Sequence, residues 1–106
     1  MAEDAVERCA DVFKAMGDPT RLRILQTLFP GEKCVTDLAK TLGMDAPRVS
    51  FHLTRLKYAG LVTDERQGQR VAYSLNPAMC RSMSGGKTEI NLGGCIVKFA
   101  PDGALK

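Results

Sequence analysis

The sequence has no tryptophan, a single histidine and no Cys-x-x-Cys pair. One histidine, His52, excludes His-rich zinc coordination of the zinc-finger kind within the chain. The wide spacing of Cys9, Cys34, Cys80 and Cys95 fits neither a zinc ribbon nor a thioredoxin-like redox centre. No apolar run approaches the roughly 18 residues that suggest a membrane helix, so no membrane partner is expected. The opening MAEDAVERC is acidic and lacks the apolar core of a secretory signal. The expectation is a cytoplasmic protein with reduced thiols. Internal repeats and low-complexity tracts are also missing.

What is present is ordinary globular composition: 106 residues, 44% hydrophobic and 25% charged. That supports one small domain, too short for a TIM barrel or a dinucleotide-binding domain with a substrate domain.

Val6, Cys9, Ala10 and Phe13 recur at three-and-four spacing, which predicts a helix over Ala5 to Met16 with these residues on one face. Gly17 ends it. Asp18 can cap a second helix, with Pro19 in its first turn and Leu22, Ile24, Leu25 and Leu28 apolar. Pro30-Gly31 breaks that helix. Val35, Leu38, Ala39 and Leu42 mark a short third helix closed by Gly43. Asp45 caps a fourth, whose inward stripe is Val49, Leu53 and Leu56. Two helices joined by a tight link around Gly43-Met44 are the helix-turn-helix signature.

Extended segments Leu61 to Glu65 and Arg70 to Leu75 flank Arg66-Gln67-Gly68-Gln69, a hairpin with a polar, basic tip. Beyond Asn76, Ser82 to Gly86 reads as a small-residue linker. Gly93-Gly94 then joins two β-like runs as a second hairpin. Pairing Leu92 with Cys95 also pairs Ile90 with Val97, Thr88 with Phe99 and Glu89 with Lys98. The fold expected is mainly α with a small β wing (α+β): a winged helix-turn-helix, with a C-terminal β-hairpin in place of a long final helix. Residues 1–77 form the winged helix-turn-helix domain in this reading, and 78–106 form the linker and hairpin tail.

The net charge of +3 understates the electrostatics. Ala46 to Tyr73 carries five basic residues (Arg48, Arg55, Lys57, Arg66, Arg70) against Asp64 and Glu65. Met1 to Asp45 carries six basic against eight acidic residues. Positive charge on the fourth helix and the hairpin is the polarity of a DNA-facing surface.

Phe13-Lys14-Ala15-Met16-Gly17-Asp18-Pro19-Thr20-Arg21-Leu22-Arg23-Ile24-Leu25 resembles the opening signature of the ArsR/SmtB winged-helix repressors. Val49-Ser50-Phe51-His52-Leu53 through Ala59-Gly60-Leu61-Val62 resembles that family's recognition helix, and Cys34-Val35-Thr36-Asp37-Leu38 its third-helix C-V-C-D-L. The resemblance covers roughly Val6 to Leu75. It implies a homodimeric repressor on a double-stranded, imperfectly palindromic operator, needing no cofactor to bind DNA. It also implies release by As(III), another soft thiophilic metal ion, or an oxidant. By this analogy Arg48, Ser50 and Phe51 approach base edges, where arginine reads guanine through two hydrogen bonds. Arg55, Lys57, Arg66, Gln67, Gln69 and Arg70 contact phosphates or the minor groove. His52 is expected to be structural. The sequence departs from the family in having Thr36 where arsenic-responsive members have a second cysteine, and in lacking the long C-terminal helix with its His and acidic ligands.

Cys34 is the leading sensor thiol, because the start of a helix and the neighbouring Lys33 both favour thiolate. Pyramidal As(III) wants three sulfurs, so companions are sought among Cys9, Cys80 and Cys95. Cys9 also suits the core, Cys95 shares the apolar hairpin face with Leu92, and Cys80 is expected to be the more exposed. A thiol redox or reactive-sulfur switch is the competing reading. A protein-interaction module is weaker. A Cys-dependent enzyme is weaker still, since no base pairs with a cysteine and no Gly-rich phosphate loop precedes a helix.

Overall fold

The computed structural model describes residues 3–100. Four helices come first: α1 (Glu3–Met16), α2 (Pro19–Leu28), α3 (Val35–Leu42) and α4 (Ala46–Tyr58), with the short strand β1 (Lys33–Cys34) between α2 and α3. Strands β2 (Val62–Gln67) and β3 (Arg70–Leu75) follow. The chain then runs through β4 (Cys80–Met83), a 3-10 turn at Ser84–Gly86, β5 (Lys87–Asn91) and β6 (Ile96–Phe99). The strands form two antiparallel three-stranded sheets, ordered β1-β3-β2 and β4-β5-β6. This is the expected winged helix-turn-helix of the α+β class.

Local chemistry sets the helix boundaries. Asp18 accepts from the Thr20 and Arg21 backbone N–H groups at 2.8 and 3.1 Å, satisfying donors that α2 leaves open. The Arg21 bond, more than any other influence, holds the Asp18 carboxyl below its usual value. Asp45 does the same for α4, accepting from Arg48 N–H at 2.9 Å. Gly43 ends α3 in the left-handed region (φ 65°), and its conformation aims α4 across α3.

The core is the meeting place of all four helices. Ile24, Leu25, Leu38, Val49, Leu53, Leu56 and Leu61 are fully buried, each worth about 1.5–3 kcal/mol of transfer free energy. Cys80, Ile90 and Leu92 from the second sheet belong to the same cluster. Phe99 of β6 meets Phe29 edge-on, ring centroids 5.4 Å apart.

The proposed tail register holds: Thr88 pairs with Phe99, Glu89 with Lys98 and Ile90 with Val97. Leu92 N–H donates to Cys95 C=O at 2.9 Å across Gly93-Gly94. Three expectations need correction. The Ser82 to Gly86 linker is shorter than expected, because Cys80 to Met83 pairs with Ile90 to Lys87 as a third strand. The run Cys-Arg-Ser-Met carries no alternation that marks it as β. The tip of the first hairpin is tighter, since Arg66 pairs with Val71 and Gln67 with Arg70, leaving Gly68 and Gln69 to turn. Finally, the single apolar face proposed for α1 splits. Cys9 turns inward with Val12 and Met16, while Val6 and Phe13 remain nearly half exposed (46% and 47%).

Candidate nucleic-acid interface and the four thiols

Burying Val49, Leu53 and Leu56 fixes which face of α4 is left in solvent. Arg48, Phe51, Arg55 and Lys57 are exposed there, and Ser50 is half-buried. Phe51 is 54% exposed. The Arg55 guanidinium lies over its ring, 5.1 Å from the centroid, an i, i+4 cation–π pair. The contact covers an aromatic that would otherwise face water and holds Arg55 extended along the helix. Arg66, Gln67, Gln69 and Arg70 are all exposed on the hairpin, so the nine predicted contact residues lie on α4 and the wing.

Their charges are not equally free. Lys57 Nζ donates to Asp64 at 3.0 Å, and this hydrogen bond raises the lysine's pKa. Gln67 donates to Glu32 at 3.1 Å. Arg70 stands 4.0 Å from Asp37. Arg48 and Arg66 make no ion pair among the described residues.

Sequence reasoning missed Arg21. Its Nε donates to Ala15 C=O at 2.6 Å and a terminal nitrogen donates to His52 Nδ1 at 3.2 Å. Guanidinium has no lone pair to offer, so Nδ1 accepts and the neutral imidazole carries its proton on Nε2. Arg21 thereby joins α1, α2 and α4 behind the exposed face. It also lines a groove of about 380 Å³ with Asp11, Lys14, Arg55 and Tyr58. No spacing rule marks such a residue. The only hint was its place just after the Asp18 cap.

The thiols occupy four different settings. Cys34 caps α3 and pairs with Ala72 of β3, and its N–H donates to the Asp37 carboxylate at 3.4 Å. It shares a hollow of about 260 Å³ with Val35, Thr36, Gln69, Arg70 and Val71. Lys33 turns aside to the Gly31 carbonyl at 3.4 Å. Cys80 is not exposed as expected but 6% accessible. Pairing of β4 with β5 turns its side chain inward, where it donates to Leu61 C=O at 3.8 Å and burial pushes its pKa up to about 11. Cys9 is buried and donates to Leu92 C=O at 3.4 Å. Cys95 is exposed. Desolvation first, then a hydrogen bond to Cys9, raises its pKa. The structure thus brings Cys9 and Cys95 together and sets Cys34 beside the wing. Among the described residues no three His, Cys, Asp or Glu side chains converge as a metal site, and no helix is long and apolar enough to cross a membrane.

Comparison with known proteins adds an independent line. Residues 18–64 match the profile of the "Bacterial regulatory protein, arsR family". The chain is 44% identical over 66 residues to the transcriptional repressor SdpR of Bacillus subtilis, covering 62% of this chain and 73% of that protein. It is 43% identical over 70 residues to the arsenic resistance transcriptional regulator ArsR2 of Pseudomonas putida, covering 65% of this chain but 61% of that protein. In structure it is similar to the homodimeric winged helix-turn-helix DNA-binding domain Mb0332 of Mycobacterium bovis, with TM-score 0.69 and 32% identity over 74% of this chain and 75% of that one.

Proposed function

We propose that this chain, which belongs to the arsR family of bacterial regulatory proteins, is a homodimeric repressor that leaves its operator when a thiol-reactive effector reaches Cys34. Membership itself makes it a DNA-binding transcriptional regulator rather than an enzyme. In the proposal, α4 enters the major groove with Arg48, Ser50 and Phe51 toward base edges. Arg66 and Gln69 of the wing meet the flanking phosphates. Residues 1–77 carry DNA binding and dimerisation, and the half-exposed Val6 and Phe13 of α1 supply apolar surface for the second copy. The operator is an imperfect palindrome with half-sites about 10 bp apart.

The observation that carries the effector reading is the hollow shared by Cys34, Gln69 and Arg70. One thiol there lies beside both the start of the helix-turn-helix and the tip end of β3. An adduct on Cys34 occupies that hollow and displaces Arg70 from its place near Asp37, so the wing loses its DNA-bound geometry. A soft metal or metalloid such as arsenite is the favoured effector, since soft ions choose thiolate. Arsenite exchanges one hydroxyl for each thiol and releases a water. No other cysteine lines the Cys34 hollow, so multi-thiolate coordination at Cys34 draws on the second protomer.

The test is a titration of operator release with arsenite, cadmium, copper, zinc, persulfide and peroxide, on the wild type and on single Cys→Ser variants. Release that Cys34→Ser abolishes is the expected result. Release unchanged in Cys34→Ser with every effector would overturn the assignment.

A further inference from the structure

We propose that the groove between α1, α2 and the C-terminal end of α4 seats a DNA backbone phosphate, held by Lys14, Arg21, Arg55 and the Tyr58 hydroxyl, so that the DNA face extends onto α1, outside the helix-turn-helix and the wing. The proposal rests on the operator reading and adds to it a seat that no DNA-contact motif in the sequence marks.

The placement follows from the period of α4. Arg48, Phe51, Arg55 and Tyr58 stand three or four residues apart and so share one stripe of the helix. From Arg48 to Tyr58 the stripe runs about 15 Å at the helical rise, against a major groove about 12 Å wide. With Arg48 at the base edges, Arg55 and Tyr58 therefore reach the lip of the groove, where the phosphates lie. Tyr58 is 88% exposed. Its hydroxyl makes no hydrogen bond among the described residues and is free to donate to a phosphate oxygen.

The groove brings three cations from three helices to that lip. Lys14 is exposed in the last turn of α1 and makes no ion pair among the described residues. Arg21 uses Nε on Ala15 C=O and one terminal nitrogen on His52, which leaves its other terminal nitrogen without a partner among the described residues. The Arg55 guanidinium is steadied 5.1 Å above the Phe51 ring. Asp11 is the one acidic side chain that lines the groove, so three cations face one carboxylate and the excess is positive. Ala15 and Ala59 lie between the charges, and neither obstructs the approach of a duplex. Asp11, Lys14 and Ala15 stand about a third of a turn round α1 from Val6 and Phe13, so the groove stays open when that apolar face meets a second copy. An open groove of this kind holds a free phosphate ion weakly, because the ion keeps its water on the solvent side. A phosphate of a duplex already docked through α4 arrives instead at high effective concentration.

The experiment measures binding of the full chain to random duplex by fluorescence anisotropy over a salt series. Lys14→Ala should lower the slope of log affinity against log salt by about one, and Lys14→Arg should restore it. Tyr58→Phe should weaken binding about fivefold, the loss of one hydrogen bond, with the slope unchanged. Asp11→Asn should tighten binding. All three side chains are exposed, so these variants should keep the circular dichroism and melting profile of the wild type. On a duplex that the chain selects from a random pool, a scan of neutral methylphosphonates should find a phosphate whose replacement weakens the wild type but not Lys14→Ala. An unchanged slope in Lys14→Ala, while Arg66→Ala lowers it, would overturn the seat and leave the operator reading standing. Failure of the wild type to bind any duplex at low salt would overturn the operator reading and the seat with it. Displacement of the duplex by inorganic phosphate at constant ionic strength, lost in Lys14→Ala, would assign the groove to a free anion and also overturn the seat.

Discussion

Arg21 and His52 sit 3.2 Å apart, guanidinium to Nδ1, and fasten α2 to the back of α4. Arg21→Ala should lower the unfolding free energy by about 2 kcal/mol, the scale of hydrogen bonds made by a charged group. His52→Ala should cost less, because Arg21 keeps its bond to Ala15. The double variant should cost less than the sum of the two. Denaturant melts of the four proteins give the coupling directly, and strict additivity would show that the pair is incidental.

Asp18 gives the fold an acid-sensitive cap. Its carboxyl is held below its usual value, chiefly by the Arg21 N–H. A depressed folded-state pKa means stability that is present above the unfolded value and lost as pH falls through the folded one. Asp18→Ala should cost about 1 kcal/mol near neutral pH, and the difference from wild type should shrink below about pH 4. Melting temperatures from about pH 2.5 to about pH 7 check this, and a constant difference would refute it.

The charges of α4 and the wing should separate by their ion pairs. Arg66→Ala should reduce the slope of log affinity against log salt by about one. Arg48→Ala should relax base preference at one position, by about 1–3 kcal/mol for the preferred base. Lys57→Ala should weaken binding less than Arg66→Ala, because Asp64 already engages Lys57 at 3.0 Å. Asp64→Asn should tighten binding to random duplex by freeing that lysine. Fluorescence anisotropy over a salt series distinguishes these outcomes.

The four thiols should label in a fixed order. Iodoacetamide at about pH 8 should modify the exposed Cys95 and half-buried Cys34 well before Cys9 and Cys80, since the reagent must reach the sulfur to react. Cys80, buried with its pKa pushed up to about 11, should be last. Peptide mass mapping against time reads the order. Early loss of the Cys80 thiol would contradict its burial.

If α1 supplies the dimer surface, Phe13→Glu should give a monomer with its helical circular dichroism intact, because Phe13 is 47% exposed and outside the buried core. Sedimentation equilibrium measures this. A dimer that survives the substitution would place the contact elsewhere.

The helices were legible because their punctuation is chemical. Asp18-Pro19, Gly43 and Asp45 with Pro47 each carry a cap or a fixed φ, and the stripe Val49, Leu53, Leu56 sits at helical spacing. The tail hairpin was legible too, since Gly93-Gly94 allows one register that keeps Ile90 and Leu92 on one face. Strands β1 and β4 were not. Lys33–Cys34 and Cys80–Met83 are too short and too polar to alternate, and they are strands only because an edge of β3 or β5 is there to pair with. The exposure of Cys80 was misjudged for this reason, as its direction depends on a partner strand. The charged face was readable as a segment, but which cations are already engaged depends on Asp64, Asp37 and Glu32, which approach from other elements. Proximity of Cys9 to Cys95, 86 positions apart by their numbering, is a property of the packed chain alone.

Asn76 shows what the packing asks of anyone who would exchange the tail. Its N–H donates to Leu61 C=O at 2.9 Å and its side-chain amide to Gly60 C=O at 2.8 Å. Its carbonyl accepts from Met79 and Cys80 at 3.0 and 2.8 Å, and its Oδ1 accepts from Ala78 at 3.0 Å. The joint between wing and second sheet is thus tied to the exit of α4. A chimera spliced directly after Pro77 keeps the asparagine but discards the donors on its far side. Grafts that retain Asn76 to Cys80 preserve the hinge pin, and a new tail hung there inherits a rigid mount on the exit of α4.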